Sequence, residues 1–379
     1  MIIGIDARHA LNNKRGHGRY LKGLLLSLLD IDACNRYLLY TDTSDSASLF
    51  AGYDNAHLQV LKPRSYVAWE QVALPSRATS DGVDLLFLSN HTAPWFCTPP
   101  CVLTVHDVLF MNPASLRQPF HQTLGRWYKR LFTTRAAGYA KQILTVSEYS
   151  KRRIVEELHI APENIHVTYE GFEPVFHRIE TNGGPVLSRF NLHPKQYVLC
   201  LGAQDPRKNT VNTLVAFKKL RSKELPYLSL VVCGMNAKQL QSMLPRRDFD
   251  LLENVVTAGF VSDDDLAELY NHAAVFVYAS LGEGFGIPAL EAMACGTPVV
   301  AANVTSLPEI VGDAGLLVDP RSTEEIAQAL QLLMNADSLR LELIRRGAIQ
   351  CQKFSWPEVA RKTLSTFEYV ARYRTSCQQ

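Results

Sequence analysis

Short runs of apolar and β-branched residues recur along the chain, with stretches of helical periodicity between them. Seven runs lie in the first half: MIIGID, RYLLYT, HLQVLK, DLLFLS, CVLTVHD, QILTVS and NIHVTYEG. Six lie in the second half: YVLCLG, LSLVVCG, NVVTAG, AAVFVYAS, TPVVAA and GLLVDP. Continuous apolar strands that alternate with helices are typical of parallel sheets covered by helices on both faces. The pattern therefore predicts an α/β protein with two doubly wound domains.

The two series are separated by a segment in which the periodicity lapses. Between residues 173 and 196, proline and glycine accumulate. In addition, a chain of 379 residues is too long to fold around one ordinary hydrophobic core. We predict a first domain over 1–180 and a second over 181–356, with a final helix over about 357–379 that can pack back on the first. Because ligands of open parallel sheets bind beyond the carboxyl ends of the strands, two facing sheets would hold theirs in a cleft.

Composition and charge narrow the class of protein without identifying it. Hydrophobic residues make up 47% of the chain and charged residues 20%, as in a soluble globular protein. A formal net charge of +2 gives no reason to expect nucleic-acid binding. The start of the chain reads as a strand rather than a signal peptide, and no apolar run approaches the roughly 18 residues of a membrane span. We therefore expect a cytoplasmic protein.

The cysteines argue against a metal centre. Of the eight, only Cys97 and Cys101 lie close together. A structural zinc site needs about four ligands, and the sequence offers no second close pair. We expect neither a metal nor a cofactor.

The segment SLGEGFGIPALEAMACGTPVV, residues 280–300, combines a glycine-rich loop with a helix that begins at Pro288 and ends at Gly296. Unpaired N–H groups at a helix start bind phosphate. Glu283 on the loop and Glu291 inside the helix are suited to accept hydrogen bonds from sugar hydroxyls. Taken singly, they also fit a solvated loop residue and a glutamate favoured by the helix dipole.

Three other loops follow predicted strands. Beyond Gly202, the adjacent cations Arg207 and Lys208 are placed to neutralise a diphosphate leaving group, or are ordinary surface charges. His106 follows a buried strand, where it could hydrogen-bond a sugar or serve a structural role. The Gly16-x-Gly18 loop lacks the third glycine of a dinucleotide fingerprint, and Asp42 is the nearest acidic partner, so a Rossmann oxidoreductase stays a minor alternative.

Between Asp107 and Glu148 the chain has no acidic residue. Cations and aromatic residues alternate there: Arg117, Phe120, Arg126, Trp127, Tyr128, Lys129, Arg130, Phe132, Arg135, Tyr139 and Lys141. Such a helix fits an anionic membrane surface or a phosphorylated acceptor, and equally an ordinary helix that covers the sheet.

The combined motifs resemble those of retaining, nucleotide-sugar-dependent glycosyltransferases of family four, which have the GT-B fold of two Rossmann-like domains facing across a cleft. The resemblance covers nearly the whole chain and is strongest from Val255 to Pro320. Its most specific part is the pair of glutamates eight residues apart within EGFGIPALEAMACGTPVV. That context favours the functional interpretation of both glutamates.

The resemblance also implies roles for individual residues. In the second domain, Glu291 would bind the donor ribose, and Glu283 the transferred sugar. The catalytic set would comprise His106, Glu283, Arg207 and Lys208. The donor site would comprise Gly16, Gly18, Gly202, Arg207, Lys208, Phe260, Val261, Glu283, Gly284, Phe285, Gly286, Ile287 and Glu291. Acceptor contacts would come from His17, Arg19 and Asp107. Many relatives carry arginine where this chain has Ala203, and asparagine where it has Glu170, so no role is carried onto Glu170.

The implied reaction transfers a hexose without a metal and with retention of the anomeric configuration. The domains would close over the donor first. The acceptor would then attack from the face that the diphosphate leaves, assisted by the leaving phosphate. GHGRY together with DPRKN looks like mannosyltransferases of bacterial surface polysaccharides such as lipopolysaccharide, which favours GDP-mannose as donor. The partners would then be a nucleotide sugar and a glycan or lipid-linked acceptor, with peripheral association at the inner membrane. A UDP-glucose or UDP-N-acetylhexosamine donor, a sugar phosphorylase, and a non-catalytic nucleotide-sugar-binding protein remain alternatives.

Overall fold

All thirteen predicted strands are present in the computed structural model, which describes residues 1–8, 10, 16–43, 47–111, 120–181, 183–225 and 227–376. The first seven are β1 (Ile2–Asp6), β2 (Arg36–Thr41), β3 (Ala56–Val60), β4 (Leu85–Leu88), β5 (Cys101–Thr104), β6 (Gln142–Thr145) and β7 (Ile165–Val167). The other six are β8 (Tyr197–Leu201), β9 (Ser229–Cys233), β10 (Val255–Gly259), β11 (Val275–Tyr278), β12 (Val299–Ala302) and β13 (Gly315–Val318).

Helices occupy the intervals between the strands. In the first half they are α1 (His17–Ile31), α2 (Ala47–Phe50), α3 (Tyr66–Ala68), α4 (Leu74–Ser80), α5 (Phe120–Tyr139) and α6 (Glu148–Leu158). They continue as α7 (Pro185–Arg189), α8 (Thr210–Glu224), α9 (Ala237–Gln241), α10 (Asp263–His272), α11 (Ile287–Ala294), α12 (Leu307–Val311), α13 (Thr323–Asn335), α14 (Asp337–Cys351) and α15 (Trp356–Ser376). A π-helical turn, Trp69–Ala73, joins α3 to α4. Within the described residues, we find no helix apolar and long enough to cross a membrane.

The strands form two separate parallel sheets. Their orders are β3-β2-β1-β4-β5-β6-β7 and β10-β9-β8-β11-β12-β13, and every neighbouring pair is parallel. The order reverses between β1 and β4 in one sheet and between β8 and β11 in the other. Such switch points are where doubly wound sheets bind ligands, because the loops after the two central strands diverge there. The predicted pair of doubly wound, Rossmann-like domains is confirmed.

The chain divides into unit 1, Met1–Gly171 with Phe354–Gln379, and unit 2, Phe172–Lys353. The domain boundary predicted from the sequence lies between residues 180 and 181. The segment 172–181 joins unit 2 because it is hydrogen-bonded to the end of α10: Ile179 N donates to Asn271 Oδ1 (2.8 Å), and Asn271 Nδ2 donates to His177 O (2.9 Å). The final helix α15 lies in unit 1 against α1, where Gly23 leaves room for the Trp356 ring.

Candidate active site

The loops at the switch point of unit 2 are tied together by hydrogen bonds. The loop after β8 carries the 3-10 turn Pro206–Lys208, and the loop after β11 leads into α11. Ser280 Oγ and Leu281 N both donate to the Arg207 carbonyl, at 2.9 and 2.7 Å. The buried Asn209, with φ 58°, donates to Ala279 O at 2.9 Å. These bonds hold the two predicted motifs, Arg207-Lys208 and Glu283-x-x-x-x-x-x-x-Glu291, side by side.

Lys208 and Glu283 form a partly buried ion pair at the centre of this arrangement. The Lys208 Nζ atom lies 2.7 Å from Glu283 Oε1 and 3.1 Å from the Tyr278 hydroxyl, while the two charged side chains are 29% and 15% exposed. Burial raises the pKa of Tyr278 well above its ordinary value, and the charge and hydrogen bond of Glu283 raise it further. Tyr278 therefore stays protonated. Tyr278 was not among the predicted site residues, because it ends a buried apolar strand and its sequence context gives no further signal.

Arg207 does not join this pair. Its guanidinium donates to Asp205, with Nη2 2.6 Å and Nε 3.0 Å from Oδ2, and its side chain is 52% exposed. Burial alone would raise the pKa of Asp205, but the hydrogen bonds from Arg207 hold it below its ordinary value. The two adjacent cations thus have different carboxylate partners, Asp205 for Arg207 and Glu283 for Lys208.

The loop before α11 is shaped by contacts that the sequence did not reveal. Ser306 Oγ donates to the carbonyls of Glu283 (3.1 Å) and Phe285 (2.5 Å), and Glu283 N donates to Thr305 Oγ1 (3.3 Å). Gly286 has φ 123°, and a Cβ there would lie 2.6 Å from Leu307 Cδ2. The loop therefore needs glycine at this position.

The other predicted donor-site residues of unit 2 follow β8 or β10 or lie in α11 and the loop before it. Glu291, on α11, is only 2% exposed. At Gly202 a Cβ would lie 2.6 Å from Val232 Cγ1, so the residue after β8 must be glycine. Gly284 and Ile287 are half-buried, whereas Phe260, after β10, is 65% exposed beside the half-buried Val261.

In unit 1, the predicted residues gather around His106, which follows β5 and is 4% exposed. Gly16, with φ 46°, precedes α1, and His17 begins it. The rings of His17, Tyr20 and His91 lie 4.3, 4.6 and 5.4 Å from the His106 ring, centre to centre. Gly18 is buried and Arg19 half-buried in α1, while Asp107 Oδ1 accepts a hydrogen bond from Leu109 N at 2.9 Å.

Both nitrogens of the His106 ring have partners within unit 1. Nε2 lies 3.0 Å from the Ser89 carbonyl, which can only accept, so Nε2 carries a proton. Nδ1 lies 3.4 Å from Oε1 of Glu170, which is 6% exposed. Glu170, to which the sequence assigned no role, therefore faces His106 directly. Within the described residues, no cluster of three or more histidine, cysteine or acidic side chains is arranged to hold a metal.

Both halves of the chain match models of protein families. Residues 42–175 match the family model described as Glycosyltransferase Family 4, and residues 188–350 match the model described as Glycosyl transferases group 1. The chain therefore carries the two glycosyltransferase domains that the sequence motifs implied.

Several curated proteins are similar to parts of the chain. The "O-antigen chain mannosyltransferase B" of Escherichia coli is 35% identical over 233 residues, which is 61% of each protein. The "Serotype-specific mannosyltransferase WbdA" of Escherichia coli is 28% identical over 60% of this chain and 29% of its own length. The "MMP alpha-(1->4)-mannosyltransferase" of Mycolicibacterium hassiacum is 28% identical over 73% of this chain and 67% of that protein. The chain thus spans about three fifths of the first relative and under a third of the second.

Solved structures resemble the chain over almost its whole length. Anabaena Alr3699/HepE in complex with UDP has a TM-score of 0.72 at 19% identity, covering 97% of this chain and 99% of that one. WaaG, "a glycosyltransferase involved in lipopolysaccharide biosynthesis", has a TM-score of 0.73 at 15% identity, covering 96% and 98%. These likenesses confirm the predicted GT-B fold class.

Proposed function

We propose that this chain, built of a family 4 domain followed by a group 1 domain of glycosyltransferases, transfers a hexose from a nucleotide sugar to a glycan or lipid-linked acceptor. The hexose we propose is mannose, from GDP-mannose, and the product belongs to a surface polysaccharide. The pairing of Lys208 with Glu283 at the switch point of unit 2 carries the proposal, because an ammonium group can bind phosphate and the carboxylate beside it can accept hydrogen bonds from sugar hydroxyls. The mannosyltransferase names of the relatives support the choice of sugar.

The donor would lie along the loop and helix that follow β11. Glu291 would accept hydrogen bonds from the ribose, the start of α11 would face the diphosphate, and Glu283 would hold the sugar hydroxyls. An ammonium group has three N–H donors, and the Lys208 contacts to Tyr278 and Glu283 engage two of them. The third is left for a phosphate oxygen.

This arrangement favours departure of the diphosphate. Cleavage of the anomeric C–O bond places negative charge on the leaving phosphate, where Lys208 and the N–H groups of α11 stabilise it without a metal. Glu283 is held by a cation at 2.7 Å, which lowers its nucleophilicity, so we assign it to positioning hydroxyls rather than to a covalent intermediate. Retention would then follow from attack of the acceptor on the face that the diphosphate leaves.

Replacing Glu283 with glutamine tests that assignment. The amide keeps the shape but loses the charge, so we expect kcat to fall about 100-fold while the Kd for GDP changes less than about threefold. Steady-state kinetics and calorimetry with GDP give the two values. The matched control is Glu324→Gln, which removes a carboxylate from the exposed pair with Lys219 in the same unit. Full transfer activity in Glu283→Gln would show that the carboxylate has no role in the reaction.

Two alternatives are separated by donor binding and turnover. A UDP-sugar donor has some support, because the fold is similar to a structure solved with UDP. A thermal-shift screen of GDP-mannose, UDP-glucose and UDP-N-acetylglucosamine distinguishes the bases, and equal shifts would remove the preference for GDP-mannose. A non-catalytic binding protein would show a shift without any transfer.

Unchanged turnover in excess EDTA is expected for the metal-independent reaction.

We also propose peripheral association with the cytoplasmic face of a membrane, through α5 of unit 1. Trp127 and Leu131 are 58% and 56% exposed, and the neighbouring Arg130 adds positive charge. Arg117, in the same predicted stretch, lies outside the described residues. Exposed aromatic and apolar side chains beside cations are suited to the interface of an anionic bilayer.

Co-sedimentation with vesicles of phosphatidylglycerol tests this association. The double variant Trp127→Ala/Leu131→Ala should bind the vesicles at least about tenfold more weakly, because each side chain buries apolar area on binding. Leu341→Ala in unit 2, where the leucine is 67% exposed, is the control and should bind like the unaltered protein. Equal binding of all three proteins would exclude α5 as the contact.

A further inference from the structure

Unit 1 has a cavity at the edge of its sheet that lies opposite to the predicted site residues. Its volume is about 770 Å³, and its wall includes the first residues of β5 and β6, Cys101 and Gln142. His106, by contrast, follows the carboxyl end of β5. The cavity therefore lies apart from the candidate site of unit 1, and no step of the proposed reaction uses it.

Both members of the one close pair of cysteines in the sequence line this cavity. Cys101 is 2% exposed, and its carbonyl accepts a hydrogen bond from Lys141 N at 2.9 Å, as part of the sheet edge. Cys97 lies in the loop before β5 and is only half-buried. The pair thus combines a thiol that a ligand in the cavity can reach with a buried thiol fixed on a strand.

The two thiols are close enough to share a hydrogen bond. The hydrogen bond from Cys101 lowers the pKa of the Cys97 thiol below its ordinary value. The same interaction, together with burial, raises the pKa of Cys101 well above its ordinary value. The single proton of Cys101 is accepted by the Pro99 carbonyl at 3.4 Å while Cys97 is neutral, and it can turn to a Cys97 thiolate. Cys97 therefore ionises first, and Cys101 keeps its proton.

The charged side chains of the cavity wall are cations. Arg135 of α5 and Lys141 before β6 are both exposed there, and the Arg135 guanidinium lies over the Trp95 ring, 5.2 Å from its centre. No acidic side chain is among the described residues of the lining. Reactive thiolates occur in partly exposed, electropositive surroundings, whereas buried structural cysteines are inert. The cavity thus favours a thiolate at Cys97 and an anionic reactant beside it.

We propose that Cys97 and Cys101 form a dithiol site that reacts with an acidic, low-molecular-weight disulfide of the glutathione type bound in this cavity. Carboxylates of the reactant would pair with Arg135 and Lys141. The inference goes beyond the proposed function and does not depend on it.

The reaction consists of two exchanges. The Cys97 thiolate attacks one sulfur of the bound disulfide, so that a bond to Cys97 forms, the original S–S bond breaks, and one thiolate leaves and takes up a proton. Cys101 then attacks the Cys97 sulfur and closes a Cys97–Cys101 disulfide, while its proton passes to the second departing thiolate. Two protein thiols are oxidised, and one disulfide is reduced to two thiols.

The test treats the reduced full chain at pH 7 with glutathione disulfide and analyses its peptides by mass spectrometry. In the unaltered protein we expect a Cys97–Cys101 disulfide. In Cys101→Ser the reaction should stop at a mixed disulfide between Cys97 and glutathione. That adduct should form at least about tenfold faster than the adduct at Cys34, an exposed cysteine of the same unit. Cys34→Ser is the matched control and should close the disulfide like the unaltered protein.

The cations are tested with the double variant Arg135→Gln/Lys141→Gln at low ionic strength. It should react with glutathione disulfide at least about fivefold more slowly, because the reactant loses its attraction to the cavity. With the uncharged hydroxyethyl disulfide, the slowing should be less than about twofold. Equal slowing with both reagents would show that the cavity does not select an anionic reactant.

Three other results would overturn the proposal. They are a rate at Cys97 no higher than that at Cys34, a mixed disulfide that never closes in the unaltered protein, and modification of Cys101 in Cys97→Ser. If Cys101→Ser does not fold, the unaltered protein decides, because the Cys97–Cys101 disulfide and the Cys34 adduct are timed in one sample. Failure of the proposed function would appear as absent hexose transfer, whereas this test uses no nucleotide sugar.

Discussion

Replacing Lys208 with alanine is expected to lower kcat for hexose transfer by about 100- to 1000-fold. Lys208 is the cation held beside Glu283 and Tyr278, so its loss removes the charge that would stabilise the departing diphosphate. It also leaves a carboxylate that is only 15% exposed without its ion-pair partner. Steady-state kinetics with the nucleotide sugar measure the effect, and binding of the nucleoside diphosphate should weaken as well.

Lys219→Ala is the matched control for this prediction. Lys219 pairs with Glu324 at 3.1 Å in the same unit, but both side chains are exposed, and exposed pairs contribute little. The control should keep its activity and its melting temperature. An active Lys208→Ala enzyme would mean that the cation for the diphosphate comes from elsewhere, with Arg207 as the next residue to test.

The second large effect is expected for Glu291→Gln. Glu291 is 2% exposed on α11, and a buried carboxylate that accepts from ribose hydroxyls contributes more than a neutral acceptor. We expect the Kd for GDP to rise about 10- to 100-fold, and by a similar factor for GDP-mannose, because the contact is to the nucleoside. Calorimetry with both ligands measures this. Glu283→Gln should show the opposite pattern, with GDP binding preserved.

Two results would contradict this assignment. One is normal GDP binding in a folded Glu291→Gln protein. The other is weakened binding of GDP-mannose with GDP binding unchanged, which would assign Glu291 to the sugar instead of the ribose. Circular dichroism establishes that the variant is folded, and Glu324→Gln again serves as the surface control.

The strands were predictable because each central strand is buried on both faces and therefore reads as a continuous apolar run. The loop and helix over 280–296 were predictable for a different reason: the loop needs Gly286 at φ 123°, and the helix has a proline, Pro288, in its first turn. Both constraints leave recognisable residues in the sequence. The fold class and the position of unit 2's candidate site followed from these two signals.

Partnerships between side chains were not predictable in the same way. The pairing of Arg207 with Asp205 depends on how one short turn folds, and Asp-Pro-Arg-Lys alone does not reveal which cation will point at Glu283. Glu170 faces His106 across 64 residues of sequence, and only the fold brings them within 3.4 Å. Tyr278 is hidden in the same apolar pattern that made its strand easy to recognise.

The buried Glu70 of unit 1 shows a third limit. Glu70 looks like an exposed helix residue in the sequence WEQVALP, and its burial results from a π-helical turn that no periodicity indicated. Its partners Thr92 and Tyr128 are 22 and 58 residues away along the chain. Polar networks of this kind are defined by tertiary contacts, and the sequence pattern indicated only the cations and aromatic residues of α5.

The most direct test of the central claim is a mass-detected transfer assay with the full chain. GDP-mannose, UDP-glucose and UDP-N-acetylglucosamine are each incubated with a panel of α-mannosyl oligosaccharide acceptors. We predict addition of one hexose from GDP-mannose, release of GDP, an α-linked product, and loss of the reaction in Lys208→Ala. Transfer from a UDP-sugar alone, or nucleotide-sugar binding without transfer from any of the three donors, would contradict the account.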